Sequence, residues 1–163
     1  MRKDHKLILL LLALGIVLAA INTPVESSQI VQERTIDQRS DMFFTYTTVK
    51  YPAKVEVLVP TGNLTIGFNT GTNELDFGRV ETGSSVKKWL NLTITDEKTS
   101  RITLKSKGDI SPLLIFGKND FLLSGKDSIS VTMNAGSPGK YTGEVAVVVQ
   151  RSSYDILRQL IGY

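Results

Sequence analysis

Residues 128–133 (SISVTM) decide the fold class, because polar and apolar side chains alternate there at every position. Successive side chains of a β-strand point to opposite faces of the sheet, so this stretch has one core side and one solvent side. The same period of two recurs in residues 54–59, 64–68, 89–94 and 101–105. Residues 145–149 (VAVVV) are apolar throughout, which predicts a central strand covered on both faces.

Turn signals separate these alternating stretches. They are the pairs Thr61-Gly62, Thr82-Gly83, Lys107-Gly108 and Pro138-Gly139. The chain has 163 residues, enough for one domain of ordinary size. Short strands with turns between them and no helical period predict an all-β fold, an antiparallel β-sandwich of about seven to nine strands over residues 42–150.

Two motifs carry a family resemblance. Residues 75–83 (LDFGRVETG), followed by Val86 and residues 89–93 (WLNLT), resemble the "LDFG-x-V-x-x-G … L-x-L-x-N" signature of immunoglobulin-like domains of the ASH/MSP type and their prokaryotic relatives. Residues 138–145 (PGKYTGEV) resemble the "PG-x-Y-x-G-x-V" pattern of the last strand in immunoglobulin-like surface domains of bacteria and archaea. The resemblance implies an immunoglobulin-like sandwich that binds partners and has no catalytic activity.

The N-terminal residues 1–27 are typical of a membrane-targeting segment. An apolar run begins at Leu7 and ends at Ile21, and Arg2, Lys3 and Lys6 precede it. This charge asymmetry retains the basic end in the cytoplasm and sends the following chain across the membrane. No A-x-A cleavage site is well placed, so we favour an uncleaved signal-anchor. A cleaved signal peptide, which would release a secreted protein, is the alternative.

Residues 28–41 are poor in large apolar side chains, and we expect a polar stalk there with one or two helical turns at most. The composition also limits the chemistry. The chain has no cysteine, and its single histidine is His5, which excludes disulfides, zinc–thiolate sites and imidazole or thiol catalysis in the folded part. A net charge of +3 without a basic cluster gives no nucleic-acid footprint.

No motif indicates an enzyme. The chain contains no Gly-x-Ser-x-Gly sequence and no glycine-rich phosphate loop. Asp109, Asp120 and Asp127 lack the spacing of a calcium loop, so we interpret them as solvated turn residues. We therefore expect no catalytic residues, no metal and no cofactor.

Two sequons mark candidate glycosylation sites at Asn63 and Asn91. The middle leucine of each belongs to the core-facing series, so the asparagine and threonine fall on the solvent side. Trp89, the only tryptophan, shares its strand face with Asn91. It is either a residue half covered by its neighbours or the anchor of a protein interface.

Residues 151–163 predict a short amphipathic helix. Its apolar side consists of Tyr154, Leu157, Leu160 and Ile161. A helix of this length is unstable alone in water, so it either closes the end of the sandwich or docks onto a partner or the membrane surface.

Taken together, the patterns predict a single-pass membrane protein with its N-terminus in the cytoplasm and its β-domain outside. The function that fits is a binding or scaffold module, an accessory subunit of a membrane or cell-envelope complex with an unknown protein partner. The alternative is a structural subunit of a surface filament or appendage, a homo-oligomer assembled by strand addition.

Overall fold

The computed structural model describes residues 29–60, 73–95 and 99–153. These residues form nine strands and one short 3-10 helix, Ser111–Leu113. The strands are β1 (Thr35–Ser40), β2 (Phe44–Leu58), β3 (Leu75–Glu81), β4 (Ser85–Thr93), β5 (Ser100–Gly108), β6 (Leu114–Phe116), β7 (Phe121–Leu123), β8 (Lys126–Asn134) and β9 (Gly139–Ser152). The strand expected at residues 64–68 lies outside the described residues.

The strands form two sheets. The larger sheet has the order β1-β2-β9-β5-β7, with β3 also paired to β2, and the smaller has the order β4-β8-β6. Every described pairing is antiparallel except that of β2 with β3. The predicted all-β, mostly antiparallel class is therefore confirmed. Strand β9 is central, and Val145, Ala146 and Val147 are all buried, as the apolar run predicts.

One hydrophobic core lies between the sheets. The larger sheet contributes Val55, Ile102 and Leu104 from the inner faces of β2 and β5, together with Val145 and Val147 from β9. Strand β8 contributes Ile129, Val131 and Met133, which have no exposed surface, as its alternation predicts. Each such side chain contributes roughly 1.5–3 kcal/mol through burial. Burial of these side chains from β2, β5, β8 and β9 thus holds the two sheets together.

Residues 75–93 cross from one sheet to the other. Lys54 pairs with Asp76 and Glu56 with Arg79, so β3 has one extra residue and forms a bulge at Gly78, whose φ is 75°. Because of the bulge, Phe77 and Val80 both face the core although they are three positions apart. The turn at Gly83 (φ 84°) then leads into β4, which pairs with β8 in the smaller sheet.

Strand β2 has two successive neighbours along one edge. Strand β1 pairs antiparallel with Thr45 to Lys50, and β3 pairs parallel with Ala53 to Leu58. Pro52, which has no N–H to donate, lies at the junction between these two pairings. Along its other edge, β2 pairs with β9 over its whole length apart from the last residue.

The residues expected in the stalk are part of the folded unit from residue 29 onwards. Residues 35–40 form strand β1 rather than helical turns, and their polar composition fits an edge strand that is largely exposed. Before it, the backbone N–H of Val31 donates a hydrogen bond of 3.0 Å to Glu144 on β9. The guanidinium of Arg34 lies 5.4 Å from the ring centroid of Tyr51. The sheet therefore begins earlier than residue 42.

Ser153, the last residue that the structure describes, lies beside the β1–β2 turn, where its N–H donates a hydrogen bond of 2.8 Å to the carbonyl of Phe43. Arg151 and Ser152, expected in the C-terminal helix, are instead the last residues of strand β9, because they continue its pairing with β2. The rest of that proposed helix, with Tyr154, Leu157, Leu160 and Ile161, lies outside the described residues, and so does the apolar segment between Leu7 and Ile21. Across residues 29–60, 73–95 and 99–153, no helix has the length and apolar character needed to span a membrane.

Candidate interaction surfaces

The β1–β2 hairpin presents an ordered tip with exposed apolar side chains. The carboxylate of Asp41 accepts hydrogen bonds from the N–H groups of Phe43 (2.9 Å) and Phe44 (2.7 Å). Burial acts to raise the pKa of Asp41, but these backbone hydrogen bonds, together with a hydrogen bond to the Tyr46 side chain and the charge of Arg39, outweigh it, so its pKa lies below the usual value. The tip is thereby fixed while Met42 and Phe43 remain 73% and 49% exposed.

Strand β1 forms the edge of the larger sheet, and its outer side has no paired strand among the described residues. Ile36 on this strand is 58% exposed. The charged side chains of Asp37 and Arg39 lie on the same face of the sheet and contact residues of β2: Lys50 lies 3.6 Å from Asp37, and the ring centroid of Tyr46 lies 5.7 Å from Arg39. We call β1 together with Met42 and Phe43 the hairpin edge.

Other strand edges of the described fold are less suited to pairing. Strand β3, which among the described strands pairs only with β2, carries the bulge at Gly78, and a bulge hinders further pairing along an edge. Strands β6 and β7 have only three residues each. Strand β4 carries the consecutive lysines Lys87 and Lys88. Short length and lysine side chains are the usual means by which proteins protect sheet edges. The hairpin edge combines an open strand with exposed apolar side chains.

An open cleft of about 560 Å³ adjoins the hairpin edge. Residues 32–34, Ile36, Pro52 and residues 73–74 line it. The cleft lies where the β1 pairing ends and the β3 pairing begins, so the interrupted edge of β2 accounts for it. Its lining contains both signs of charge, from Glu33, Arg34 and Glu74.

The outer face of the smaller sheet carries the predicted residues Trp89 and Asn91. We call this surface the Trp89 face, made of Trp89, Asn91, Ile115, Ser128 and Ser130. Trp89 is 61% exposed and pairs with Ser130, so the second sheet does not cover its indole. Asn91 is exposed and pairs with Ser128, whose hydroxyl donates a hydrogen bond of 2.7 Å to the Asn91 side-chain oxygen.

Two of the three aspartates considered for a cation loop, Asp120 and Asp127, each contact a basic side chain. Arg101 forms a two-pronged contact with Asp120, in which Nη2 lies 2.6 Å from Oδ2. This hydrogen bonding lowers the pKa of Asp120. A hydrogen bond from Lys118 likewise lowers the pKa of Asp127. In the part of the chain that the structure describes, no group of three acidic or histidine side chains is placed to hold a metal ion.

The structure brings Trp89 and Asn91 onto one surface, whereas Asn63 and the predicted anchor and tail residues lie outside the described residues. Sequence reasoning missed Ile36, Met42 and Phe43. The available signal was the apolar pair Met42-Phe43 after the turn residue Asp41. This pair is too short to show any periodicity.

Comparison of the chain with protein-family models, with curated proteins and with solved structures finds no match.

Proposed function

We propose that this chain is a membrane-anchored, extracytoplasmic binding module that serves as an accessory subunit of a membrane or cell-envelope complex. In this proposal it is not an enzyme, and it engages a protein partner along the hairpin edge. The observation that carries the proposal is the edge strand β1, which has no partner on its outer side among the described residues. It carries the exposed Ile36 and adjoins the exposed Met42 and Phe43.

The physical basis is β-strand addition. An open edge offers a row of backbone N–H and C=O groups, and an extended segment of another protein forms main-chain hydrogen bonds with them. Exposed apolar side chains beside the edge add specificity and hydrophobic burial. The fixed turn at Asp41 reduces the conformational entropy lost when Phe43 is covered.

The direction of the chain supports an anchored arrangement. The described part begins near Glu144, where Val31 is bound, whereas Phe44 at the hairpin pairs with Ser152. Ser152 follows Glu144 by eight residues on β9, which is roughly 27 Å of strand. An anchor formed by residues 7–21 would lead into the domain at the Glu144 end. Met42 and Phe43, at the tip of the hairpin edge, then lie at the end of the sheet opposite that point of entry.

We also propose that the domain is an immunoglobulin-like β-sandwich of the ASH/MSP type. Support comes from the motif at residues 75–83, whose bulge at Gly78 and turn at Gly83 carry the chain from the larger sheet to the smaller one. Further support comes from residues 138–145, which enter the central strand β9. Partner binding is the usual role of that family.

The alternative is a structural subunit whose β1 edge pairs with a strand of a neighbouring copy. The same open edge favours it, and the two functions differ in what lies on the edge. A filament subunit forms high-mass material of one chain, while an accessory subunit is accompanied by unlike proteins.

The test is gentle detergent extraction of native membranes followed by affinity purification of the tagged chain. It compares the wild type with the variants Ile36→Lys and Ile115→Lys. The two isoleucines are matched controls because they are 58% and 57% exposed on different surfaces. We expect an unlike protein to be recovered in fixed ratio with the wild type and Ile115→Lys, and to be lost with Ile36→Lys. Recovery of only this chain at high mass supports the filament subunit. A partner retained by Ile36→Lys overturns the hairpin-edge proposal.

A further inference from the structure

We infer that Asn91 carries an N-linked oligosaccharide whose first sugar ring lies on the indole of Trp89. The inference rests on the extracytoplasmic placement in the proposed function. It assigns an occupant to the Trp89 face, which the binding proposal leaves uncovered.

The sequon on β4 has the orientation that modification requires. Asn91 and Thr93 are both exposed on the outer face, while the intervening Leu92 faces the core. Both residues that a glycosylating enzyme must recognise therefore point to solvent in the folded domain. The core packing of Leu90 and Leu92 maintains that orientation.

A cross-strand hydrogen bond orients the acceptor amide. The hydroxyl of Ser128 donates to Oδ1 of Asn91 at 2.7 Å. The side-chain amide is planar, and Oδ1 and Nδ2 lie on opposite sides of its carbon. When Ser128 donates to Oδ1, Nδ2 therefore points away from Ser128. In the reaction, Nδ2 forms a bond to the anomeric carbon of a lipid-phosphate-linked oligosaccharide. The carbon–oxygen bond to the phosphate breaks, the lipid phosphate leaves, and Nδ2 loses one proton without any redox change.

Trp89 lies where the first sugar would rest. It precedes Asn91 by two residues, so the two side chains project from the same face roughly 7 Å apart along the strand. Its neighbour on β8 is Ser130. The N–H of Gly117 donates to the carbonyl of Ser130, and a Cβ at Gly117 would overlap the Ser130 hydroxyl. These small residues leave room beside the indole.

The chemistry of the contact is complementary. One face of a pyranose ring presents C–H groups, and an aromatic ring offers a large, weakly negative apolar face to them. At 61% exposure, Trp89 has apolar surface that such a ring would remove from water. The covalent link holds the sugar near the indole, so no translational entropy is lost in forming the contact.

The chain supplies its own reporter, because Trp89 is the only tryptophan. Tryptic cleavage after Lys88 and Lys98 yields the peptide 89–98, which contains both Trp89 and Asn91. Mass spectrometry of this peptide from the native protein reports glycan occupancy. Acrylamide quenching of the intact protein reports access to the indole.

The samples are the native protein, the same chain made in a bacterial cytoplasm without N-glycosylation, and the variants Thr93→Ala and Thr93→Ser expressed in the native cells. We expect a glycan on the native peptide and a quenching constant about half that of the unglycosylated chain, because a sugar covers one of the two indole faces. Thr93→Ala should lose the glycan and regain full quenching while keeping the Ser128 hydrogen bond. Thr93→Ser should keep both the glycan and the protection, and circular dichroism verifies that each variant is folded.

Two results overturn the inference. The first is a native peptide without glycan. The second is a glycan whose loss leaves quenching unchanged, and if Trp89 then stays protected in Thr93→Ala, another protein covers it. The outcomes separate this inference from the proposed function. If Asn91 is unmodified but a partner still co-purifies in a manner that depends on Ile36, only the glycan inference is refuted. If Asn91 is modified but no partner co-purifies, only the binding role is refuted.

Discussion

The backbone N–H of Val31 donates a hydrogen bond to the carboxylate of Glu144, which lies 113 residues further along the chain, at 3.0 Å. Glu144 is only 6% exposed and lies on the central strand β9. A buried carboxylate needs hydrogen-bond donors to offset its lost hydration. This contact therefore explains why residues 29–34 stay against the larger sheet instead of extending as a stalk.

Replacing Glu144 by alanine should release that segment. We expect the amide of Val31 to exchange its hydrogen about tenfold faster or more, because a hydrogen bond to a charged group is worth about 1.5–3 kcal/mol. Hydrogen exchange resolved at Val31 measures the effect. Glu33→Ala, which removes an exposed carboxylate from the same segment, is the control and should leave the Val31 rate unchanged. Equal rates in wild type and Glu144→Ala would contradict the prediction.

Gly143→Ala should destabilise the domain. A Cβ at Gly143 would overlap the carbonyl oxygen of Lys107 and lie 2.7 Å from Cγ2 of Ile110, so backbone must move to accept it. We expect a loss of about 1–3 kcal/mol in the free energy of unfolding, measured by urea denaturation. At Gly136 the nearest atom to a Cβ is Cδ2 of Leu113 at 3.5 Å, which is ordinary contact. Gly136→Ala should therefore be neutral or slightly stabilising, and a similar loss in both variants would count against close strand approach as the cause.

Truncation of two adjacent residues on β4 should have very different effects on the stability of the unglycosylated chain. Leu90 is 6% exposed in the core, so Leu90→Ala should cost about 2–5 kcal/mol. Trp89 is 61% exposed on the outer face, so Trp89→Ala should change stability by no more than about 0.5 kcal/mol. Thermal or urea unfolding followed by circular dichroism compares the two, and a larger loss for Trp89→Ala would mean that the orientation of β4 is reversed.

The ion pair between Arg101 and Asp120 should give a pH-dependent contribution to stability. Hydrogen bonds from Arg101 lower the pKa of Asp120, so the folded state holds the carboxylate in its charged form more firmly than the unfolded state does. The contribution is present above the unfolded pKa of about 3.9 and is lost as the pH falls through the lowered folded value. Wild type should unfold at a higher urea concentration than Asp120→Asn at pH 7, and the two midpoints should converge in strong acid.

Asparagine suits this test because Asp120 has a φ of 54°, a conformation that asparagine also accepts readily. Asp109→Asn changes an exposed carboxylate at another turn and controls for the loss of one negative charge. A difference between wild type and Asp120→Asn that persists unchanged into strong acid would mean that the charge is not its source.

Local pattern was sufficient for much of the fold. The alternation in β8 and β4 correctly assigned Ile129 and Leu90 to the core and Trp89 and Asn91 to the outer face, because side-chain direction along a strand depends only on its two-residue period. The apolar run of β9 likewise predicted its central place. These are properties that a few consecutive residues determine by themselves.

Tertiary structure alone decided the strand partners and the surfaces that follow from them. Strand β1 has little apolar surface of its own, and its conformation depends on pairing with β2, so its polar composition was indistinguishable from that of a stalk. The parallel pairing of β3, the hydrogen bond from Ser128 to Asn91 and the contact of Val31 with Glu144 each join residues distant in the chain. The two-residue period of the local sequence is enough to show which way each side chain of a regular strand faces. Which strand pairs with which depended on long-range packing. Backbone hydrogen-bonding groups are the same in every residue except proline, so they do not specify a partner.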